Sequence, residues 1–205
     1  MSDTHPPREA YIIRHGETEW NVQKRWQGHY DCALNDEGRR QAKRLAKYMR
    51  LNHALSHIYS SDLSRALDTA KAIADAYGLE PVIDLRLRET HVGVFQGYTG
   101  DELVNLYPEE LMRFRTGSMD FIIPTGESRL QVQARAHEAF FEVMANTEGN
   151  VAFVSHGGWI NLLLRKLFSD FDTHGSVYIS NTSITTLVED DGSWRLGSVS
   201  VTPHL

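Results

Sequence analysis

The sequence has little cysteine, no long apolar run and no excess of basic residues. Its 205 residues include one cysteine, Cys32, so an intramolecular disulfide and a zinc site built from cysteines are both excluded. The apolar runs are only a few residues long, whereas a membrane-spanning helix needs roughly 20. The formal net charge of −6 argues against a nucleic-acid partner or an acidic-membrane partner. Any site for an anion must therefore be a locally positive pocket.

The rest of the composition is typical of a globular protein. Hydrophobic residues make up 41% of the chain and charged residues 23%, which suits one domain with a sizeable core. Residues 1–10 are polar and contain no apolar signal region, which predicts a cytoplasmic location. Because neither a repeat nor a low-complexity linker is present, we predict a single domain over residues 1–205.

Strand-like and helix-like segments alternate along the chain, which predicts an α/β fold. The fully apolar segment 151–154 is typical of a strand at the centre of a parallel sheet. We therefore predict a three-layer α/β/α sandwich with a mostly parallel central sheet. The other strands are expected at residues 11–13, 57–60, 82–83, 176–188 and 194–201, the last two joined by a turn at 190–192.

Helices are predicted between these strands from their caps and apolar periodicity. Asn35 is expected to cap the first, and Gly78 to end the second. Ser128 with Gln131 forms a capping-box pattern that opens a helix to about Asn146. A further helix is expected at 159–168, and residues 90–126 are expected to form an irregular excursion over the site. In the capping-box helix, the apolar face is expected to consist of Leu130, Ala134, Phe141 and Met144.

Histidines follow two of the predicted strands at the point where each strand ends. The sequence RHGET occupies residues 14–18, and SHGG occupies residues 155–158. Ligand sites of α/β sheets form beyond the carboxyl ends of strands, and a neutral His15 imidazole could attack phosphorus there. The second segment also begins a helix, whose free N–H groups, including that of Gly157, could bind an anion. Taken alone, His15 could also be a buried core histidine, and Gly157-Gly158 could simply form a tight strand-to-helix turn.

Two arginines lie at or just after the ends of predicted strands. Arg14 lies directly beside His15 at a strand end, where a cation is costly unless it meets an anion. Arg65 lies in the first turns of a helix, where the dipole disfavours a cation unless an anion binds. Arg65 could equally be a surface residue paired with Asp62 or Asp68.

Four motifs together resemble the histidine phosphatase superfamily, also called phosphoglycerate mutase-like proteins. They are RHGET followed by Trp20-Asn21, Arg65 in an S-x-x-x-R-A context, Glu89, and SHGG, and the resemblance spans residues 10–200. It implies that His15 becomes phosphohistidine and that Glu89 gives a proton to the leaving group. It also implies that the phosphoryl oxygens and the substrate side of the pocket are contacted by Arg14, Arg65, His156, Asn21, Gln27 and Gly28.

The expected activity is phosphomonoester hydrolysis on small phosphorylated metabolites, without metal or cofactor. Three alternatives stay open: a phosphoglycerate mutase, a non-catalytic phosphate-binding module, and a metal-binding protein that uses His15 and His156. The excursion at 90–126 contains only Arg113 and Arg115 as basic residues besides His91, which favours a phosphatase over a mutase. The oligomeric state stays open, a homodimer included. The other histidines are interpreted as structural or surface residues: His29, His53, His57, His91, His137, His174 and His204.

Overall fold

The computed structural model describes residues 7–171 and 177–205, and these form one six-stranded sheet in the order β3-β2-β4-β1-β5-β6. The first four strands of this order run parallel, and β5 and β6 pair antiparallel at one edge. The mostly parallel sheet is confirmed, and β4 lies in its interior as expected. The strands are β1 (Arg8–Arg14), β2 (His57–Ser60), β3 (Val82–Ile83), β4 (Val151–Ser155), β5 (Ile184–Asp190) and β6 (Ser193–Val201).

The predicted strand over residues 176–188 is wrong in its first half. Residue 176 lies outside the described residues, as does His174, and residues 177–183 form a loop before β5. Thr182 has a left-handed φ of 55°, which no extended strand accommodates. Its backbone N–H donates to the carbonyls of Arg14 at 3.1 Å and His15 at 3.2 Å. The loop is therefore held against the end of β1 instead of extending the sheet.

The predicted helix caps are confirmed. The Asn35 side chain accepts a hydrogen bond from the Gly38 N–H at 2.7 Å, and Gly78 ends its helix with a φ of 67°. Ser128 and Gln131 form the expected reciprocal capping box. None of the helices in the described ranges is long and apolar enough to cross a membrane. They are α1 (Glu19–Val22), α2 (Asp36–Asn52), α3 (Ser64–Tyr77), α4 (Gly100–Leu106), α5 (Pro108–Arg115), α6 (Arg129–Asn146) and α7 (Gly157–Leu167).

The helices cover both faces of the sheet and complete the three predicted layers. Successive side chains of a strand point to opposite faces. Tyr11 and Ile13 of β1 therefore pack in one core with α2 and α3, whereas Ala10 and Ile12 pack in the other with α6 and α7.

The apolar face predicted for α6 is wrong. Leu130 is 52% exposed and Phe141 is 39% exposed, and Ala134 is also on the exposed side. The helix carries apolar residues on more than one side, and periodicity alone does not decide which side meets the sheet. The buried face consists of Val132, Ala136, Ala139, Phe140, Val143 and Met144, so Met144 is the one correct member.

The segment 90–126, called the excursion, is more regular than expected and has a small core of its own. This segment contains α4, α5 and a short 3₁₀ turn at Gly93–Phe95. Gly93 is required at this turn: its φ is 48°, and a Cβ there would lie 2.0 Å from the carbonyl oxygen of Pro124. The core of the excursion consists of Val92, Phe95, Leu103, Leu111, Phe121 and Ile123.

Candidate active site

A cavity of about 580 Å³ lies beyond the carboxyl ends of β1 and β4, beneath the excursion. The fold brings eight of the nine residues named from the sequence to its wall. His156 lies beneath the wall and is completely buried. The eight are Arg14, His15, Asn21, Gln27, Gly28, Arg65, Glu89 and Gly157.

His15 is held at the cavity floor in one tautomer. Its side chain is only 3% exposed, and Nδ1 lies 2.7 Å from the carbonyl oxygen of Gly16. A carbonyl can only accept, so Nδ1 carries the proton and Nε2 keeps a lone pair. Burial lowers the pKa of His15 well below its usual value, and the charges of Arg65 and Arg14 lower it further. The imidazole is therefore neutral at physiological pH and suited to act as a nucleophile.

Arg65 is a buried cation and not a surface residue. It is 0% exposed, and its Nη1 and Nη2 donate to the carbonyls of Tyr30 and Gly28, both at 2.9 Å. Neither of the ion pairs considered from the sequence forms in the described part of the chain, and Asp62 pairs with Arg88. Gly28, with a φ of +51°, allows the turn that aims its carbonyl at Arg65.

Arg14, the last residue of β1, directly precedes His15 and also lines the cavity. Its Nη1 donates to the carbonyl of Ile179 at 2.5 Å, and its Nε is buried without a hydrogen-bond partner in the described part of the chain. A Cβ at Gly157 would lie 3.6 Å from this Nε. The first residue of α7 thus borders the Arg14 guanidinium.

His156 supports the floor from below. The centroids of its ring and the His15 ring are 5.1 Å apart. Both of its ring nitrogens are buried and have no hydrogen-bond partner within the described residues. Burial, followed by the charge of Arg65, lowers the pKa of His156 well below its usual value. Buried polar atoms are nearly always hydrogen-bonded, so this pair of nitrogens indicates that a polar ligand group belongs here.

Glu89 occupies the N-terminus of α7. Its Oε1 accepts hydrogen bonds from the N–H groups of Thr90 at 2.8 Å and Trp159 at 3.1 Å. Its Oε2 accepts from the Gly158 N–H at 3.1 Å. The expectation that the N–H groups of this helix are free is therefore wrong for Gly158 and Trp159, because the carboxylate takes them. Among the described residues, the Gly157 N–H is the first-turn donor that keeps no partner.

Arg135, which no sequence motif singles out, fixes the backbone around Glu89. Its Nη2 donates to the Glu89 carbonyl at 2.9 Å, and its Nη1 donates to the carbonyls of Arg86 and Arg88. An ion pair of 3.0 Å with Glu127 holds the guanidinium in place. These carbonyl partners lie 46 to 49 residues away in sequence, so no local pattern could have revealed the role.

Two amide side chains complete the wall. The Oδ1 of Asn21 accepts hydrogen bonds from the Thr18 N–H at 3.1 Å and the Asn181 Nδ2 at 3.2 Å. This arrangement leaves the Asn21 NH₂ group as a donor. Gln27 is only 9% exposed, and its Oε1 has no partner in the described ranges. Gln27 is therefore a wall residue and not a residue of the loop surface.

Three further arginines line the cavity beyond those named from the sequence: Arg25, Arg129 and Arg165. Arg25 is bound to Glu102 at 2.9 Å. Within the described ranges, no group of three or more His, Cys, Asp or Glu side chains is arranged to hold a metal ion. The cavity is therefore a strongly basic pocket around an uncharged, buried histidine.

A family model for the histidine phosphatase superfamily (branch 1) matches residues 10–202 of the chain. The chain belongs to the histidine phosphatase superfamily. Over 161 residues it is 40% identical to phosphoglycerate mutase-like protein 4 of Arabidopsis thaliana, covering 77% of this chain and 70% of that relative.

Solved structures of the same fold carry phosphatase names. A mycobacterial glucosyl-3-phosphoglycerate phosphatase in complex with VO₃ is 32% identical, with a TM-score of 0.82 over 95% of this chain and 99% of that chain. A phosphoserine phosphatase of Entamoeba histolytica in complex with 3-phosphoglyceric acid is 30% identical, with a TM-score of 0.84 over 96% and 98%. The names of these histidine phosphatase relatives therefore include both phosphatases and a mutase-like protein.

Proposed function

We propose that the protein hydrolyses phosphomonoesters of small cytoplasmic metabolites through a phosphohistidine on His15, without metal or cofactor. The observation that carries the proposal is the His15 imidazole: it is buried and neutral, its Nδ1 is bound to a carbonyl, and two arginines adjoin it. Phosphoryl transfer demands little beyond a positioned nucleophile and neutralised charge on the phosphoryl oxygens. Both are available here.

In the first step, Nε2 of His15 attacks phosphorus as the bond to the ester oxygen breaks. Arg14 and Arg65 hold the phosphoryl oxygens through forked donors that fit phosphate geometry. His156, Asn21 and the Gly157 N–H supply further contacts from the floor and from the start of α7. The charge that spreads over these oxygens in the transition state is stabilised by donors already in place.

Glu89 moves the proton. In the proposed mechanism, Glu89 carries a proton in the substrate complex and gives it to the departing alkoxide, so an alcohol leaves and a carboxylate remains. That carboxylate then takes a proton from water as the water oxygen attacks phosphohistidine. The P–N bond breaks, inorganic phosphate is released, and neutral His15 and protonated Glu89 are regenerated.

Hydrolysis is favoured over mutase transfer by the excursion. Its basic residues, Arg113 and Arg115, do not appear in the cavity wall, and Arg113 lies 4.5 Å over the ring of Phe121. We therefore expect 3-phosphoglycerate to yield phosphate, with little 2-phosphoglycerate and no stimulation by 2,3-bisphosphoglycerate. Conversion of 3-phosphoglycerate to 2-phosphoglycerate at tens of turnovers per second, an ordinary enzyme rate, would favour mutase transfer over hydrolysis.

The decisive experiment is a rapid quench with ³²P-labelled substrate. The wild type should trap up to one phosphate per chain, stable to alkali and labile to acid. His15→Gln should trap none, and the matched control His137→Gln, a substitution on α6 outside the cavity, should trap as much as the wild type. An acid-stable adduct, or labelling that survives in His15→Gln, would refute the mechanism.

A further inference from the structure

The cavity holds more positive charge than one phosphoryl group requires. Five arginines line it within the described residues, whereas Glu89 is the one carboxylate of its wall. Under the proposed function, Arg14 and Arg65 serve the phosphoryl group. Arg25 is already matched by Glu102. Arg129 is not accounted for by either of these roles.

Arg129 is the first residue of α6. Its guanidinium lies 4.0 Å over the ring of Phe114. Its Nη1 is buried and has no hydrogen-bond partner among the described residues, and no ion pair to Arg129 forms there. Arg165 of α7 lines the same cavity. Burial lowers the pKa of Arg129, and the charge of Arg165 lowers it further.

A half-buried guanidinium with a buried, unpartnered nitrogen is unfavourable unless an anion meets it. The aromatic contact with Phe114 offsets this cost only in part, and it leaves the edges of the guanidinium able to donate in the ring plane. A planar guanidinium fork binds carboxylate and phosphate groups in particular. Because the cavity also holds His15, the anion and the reacting phosphate can belong to one molecule.

We propose that Arg129 binds a second anionic group of the substrate, a carboxylate or a second phosphate. This inference rests on the proposed function and narrows its substrate class to small phosphate esters with two anionic groups. The apolar part of the wall, which includes Trp26, Val92 and Leu162, then contacts the carbon skeleton between the two groups. A cavity of about 580 Å³ has room for such a molecule.

The test compares substrates that differ in the second anion alone. For a carboxylate, the pair is 3-phosphoglycerate and glycerol 3-phosphate; for a phosphate, it is fructose 1,6-bisphosphate and fructose 6-phosphate. p-Nitrophenyl phosphate reports the phosphoryl site itself. The variant is Arg129→Gln. The control is Arg113→Gln, which also removes an arginine stacked on an aromatic ring but lies outside the cavity wall.

We expect the wild type to prefer the doubly anionic member of one pair, which identifies the anion. Arg129→Gln should raise KM for that member by about 10- to 150-fold, the usual effect of losing a hydrogen bond to a charged group. KM for p-nitrophenyl phosphate should not change, and Arg113→Gln should leave all values as in the wild type. Arg129→Lys keeps the charge but loses the forked pair of donors. Its KM for the doubly anionic substrate should therefore lie between the values of the wild type and Arg129→Gln.

Several outcomes overturn the inference. They are a wild type with no preference in either pair, an equal KM rise for all substrates in Arg129→Gln, or no rise at all. Should Arg129→Gln fail to fold, Arg129→Lys decides through the same KM ratios. In this assay the proposed function fails, independently of Arg129, if the wild type releases phosphate from none of the five substrates, p-nitrophenyl phosphate included.

Discussion

The carboxylate of Glu89 caps helix α7 through the backbone of Gly158, with 3.1 Å between Oε2 and the amide nitrogen. The proposed proton donor is therefore held by the same helix that follows His156 at the end of β4. Because Arg135 holds the Glu89 backbone from the other side at 2.9 Å, the carboxylate has little freedom. The position of the acid is thus a property of the packed structure and not of the Glu89 loop alone.

Gly158→Ala should displace Glu89. A Cβ at this position would lie 2.5 Å from Oε1 of Glu89 and 3.2 Å from Oγ1 of Thr90, so the carboxylate must move. A misplacement of about 1 Å can cost on the order of 100-fold in rate, and we expect a fall in kcat/KM of about 10- to 100-fold. Gly100→Ala is the control, since a Cβ there meets its nearest neighbour at an ordinary 3.7 Å. Wild-type kcat/KM in Gly158→Ala would contradict the arrangement.

Glu89→Gln should separate good from poor leaving groups. The amide keeps the size of the side chain but removes the titratable proton. In single turnover, phosphorylation of His15 by alkyl phosphates should slow by about 10²–10⁴-fold, the usual contribution of general acid catalysis. p-Nitrophenolate leaves nearly unaided, so phosphorylation of His15 by p-nitrophenyl phosphate should slow much less. Equal losses for the two leaving groups would mean that Glu89 positions the substrate and is not the acid.

Arg135→Gln should reproduce that leaving-group pattern in weaker form. Arg135 touches the backbone of Glu89 and not the cavity, so it acts by positioning the acid. The change should also lower the free energy of unfolding by about 2–4 kcal/mol, because the half-buried Glu127 carboxylate loses its ion pair with Arg135, although it keeps the hydrogen bond from the His91 N–H. Urea denaturation and single-turnover rates measure the two effects. Arg40→Gln, which breaks an exposed pair with Glu37, should change neither. A stability loss with equal rate losses for both leaving groups would indicate a purely structural role.

Stability should decline in mild acid because of the two buried histidines. In the folded state, the pKa values of His15 and His156 lie well below the usual histidine value. In the unfolded chain, the pKa of a histidine is about 6.5. Below that pH the unfolded state binds more protons, so stability is full above about 6.5 and falls as the pH falls. Each histidine contributes up to about 1.4 kcal/mol per pH unit.

Urea denaturation between pH 7.5 and 5.5, in buffer without phosphate, measures this slope. His156→Gln removes one of the two groups, so its slope should be smaller than that of the wild type by up to about 1.4 kcal/mol per pH unit. Partly buried histidines, such as His204, contribute equally to both proteins and cancel in the difference. Identical slopes for the wild type and His156→Gln would show that His156 is not buried in the neutral form.

Local chemistry made the elements and the motif residues predictable. Asn35, Gly78 and the Ser128–Gln131 pair act through bonds to neighbours a few residues away, so each can be read from a short window. The apolar segment 151–154 needs no partner to indicate a buried strand. Since parallel strands end at one edge of a sheet, the meeting of His15 with Glu89, Arg65 and His156 also followed. Their catalytic roles stay predictions.

Long-range packing decided the rest. The buried side of α6 depends on how that helix rests on the sheet, which the pattern of Leu130 and Phe141 could not indicate. The bonds of Glu89 to α7 and of Arg135 to the Glu89 backbone join segments 46 or more residues apart in sequence. The sequence by itself determined the family, the layers and most of the residues that line the cavity, because these rest on local propensity and motif chemistry. Only the tertiary structure decided how Glu89 is held and that Arg129 reaches the cavity, because both depend on contacts between distant segments.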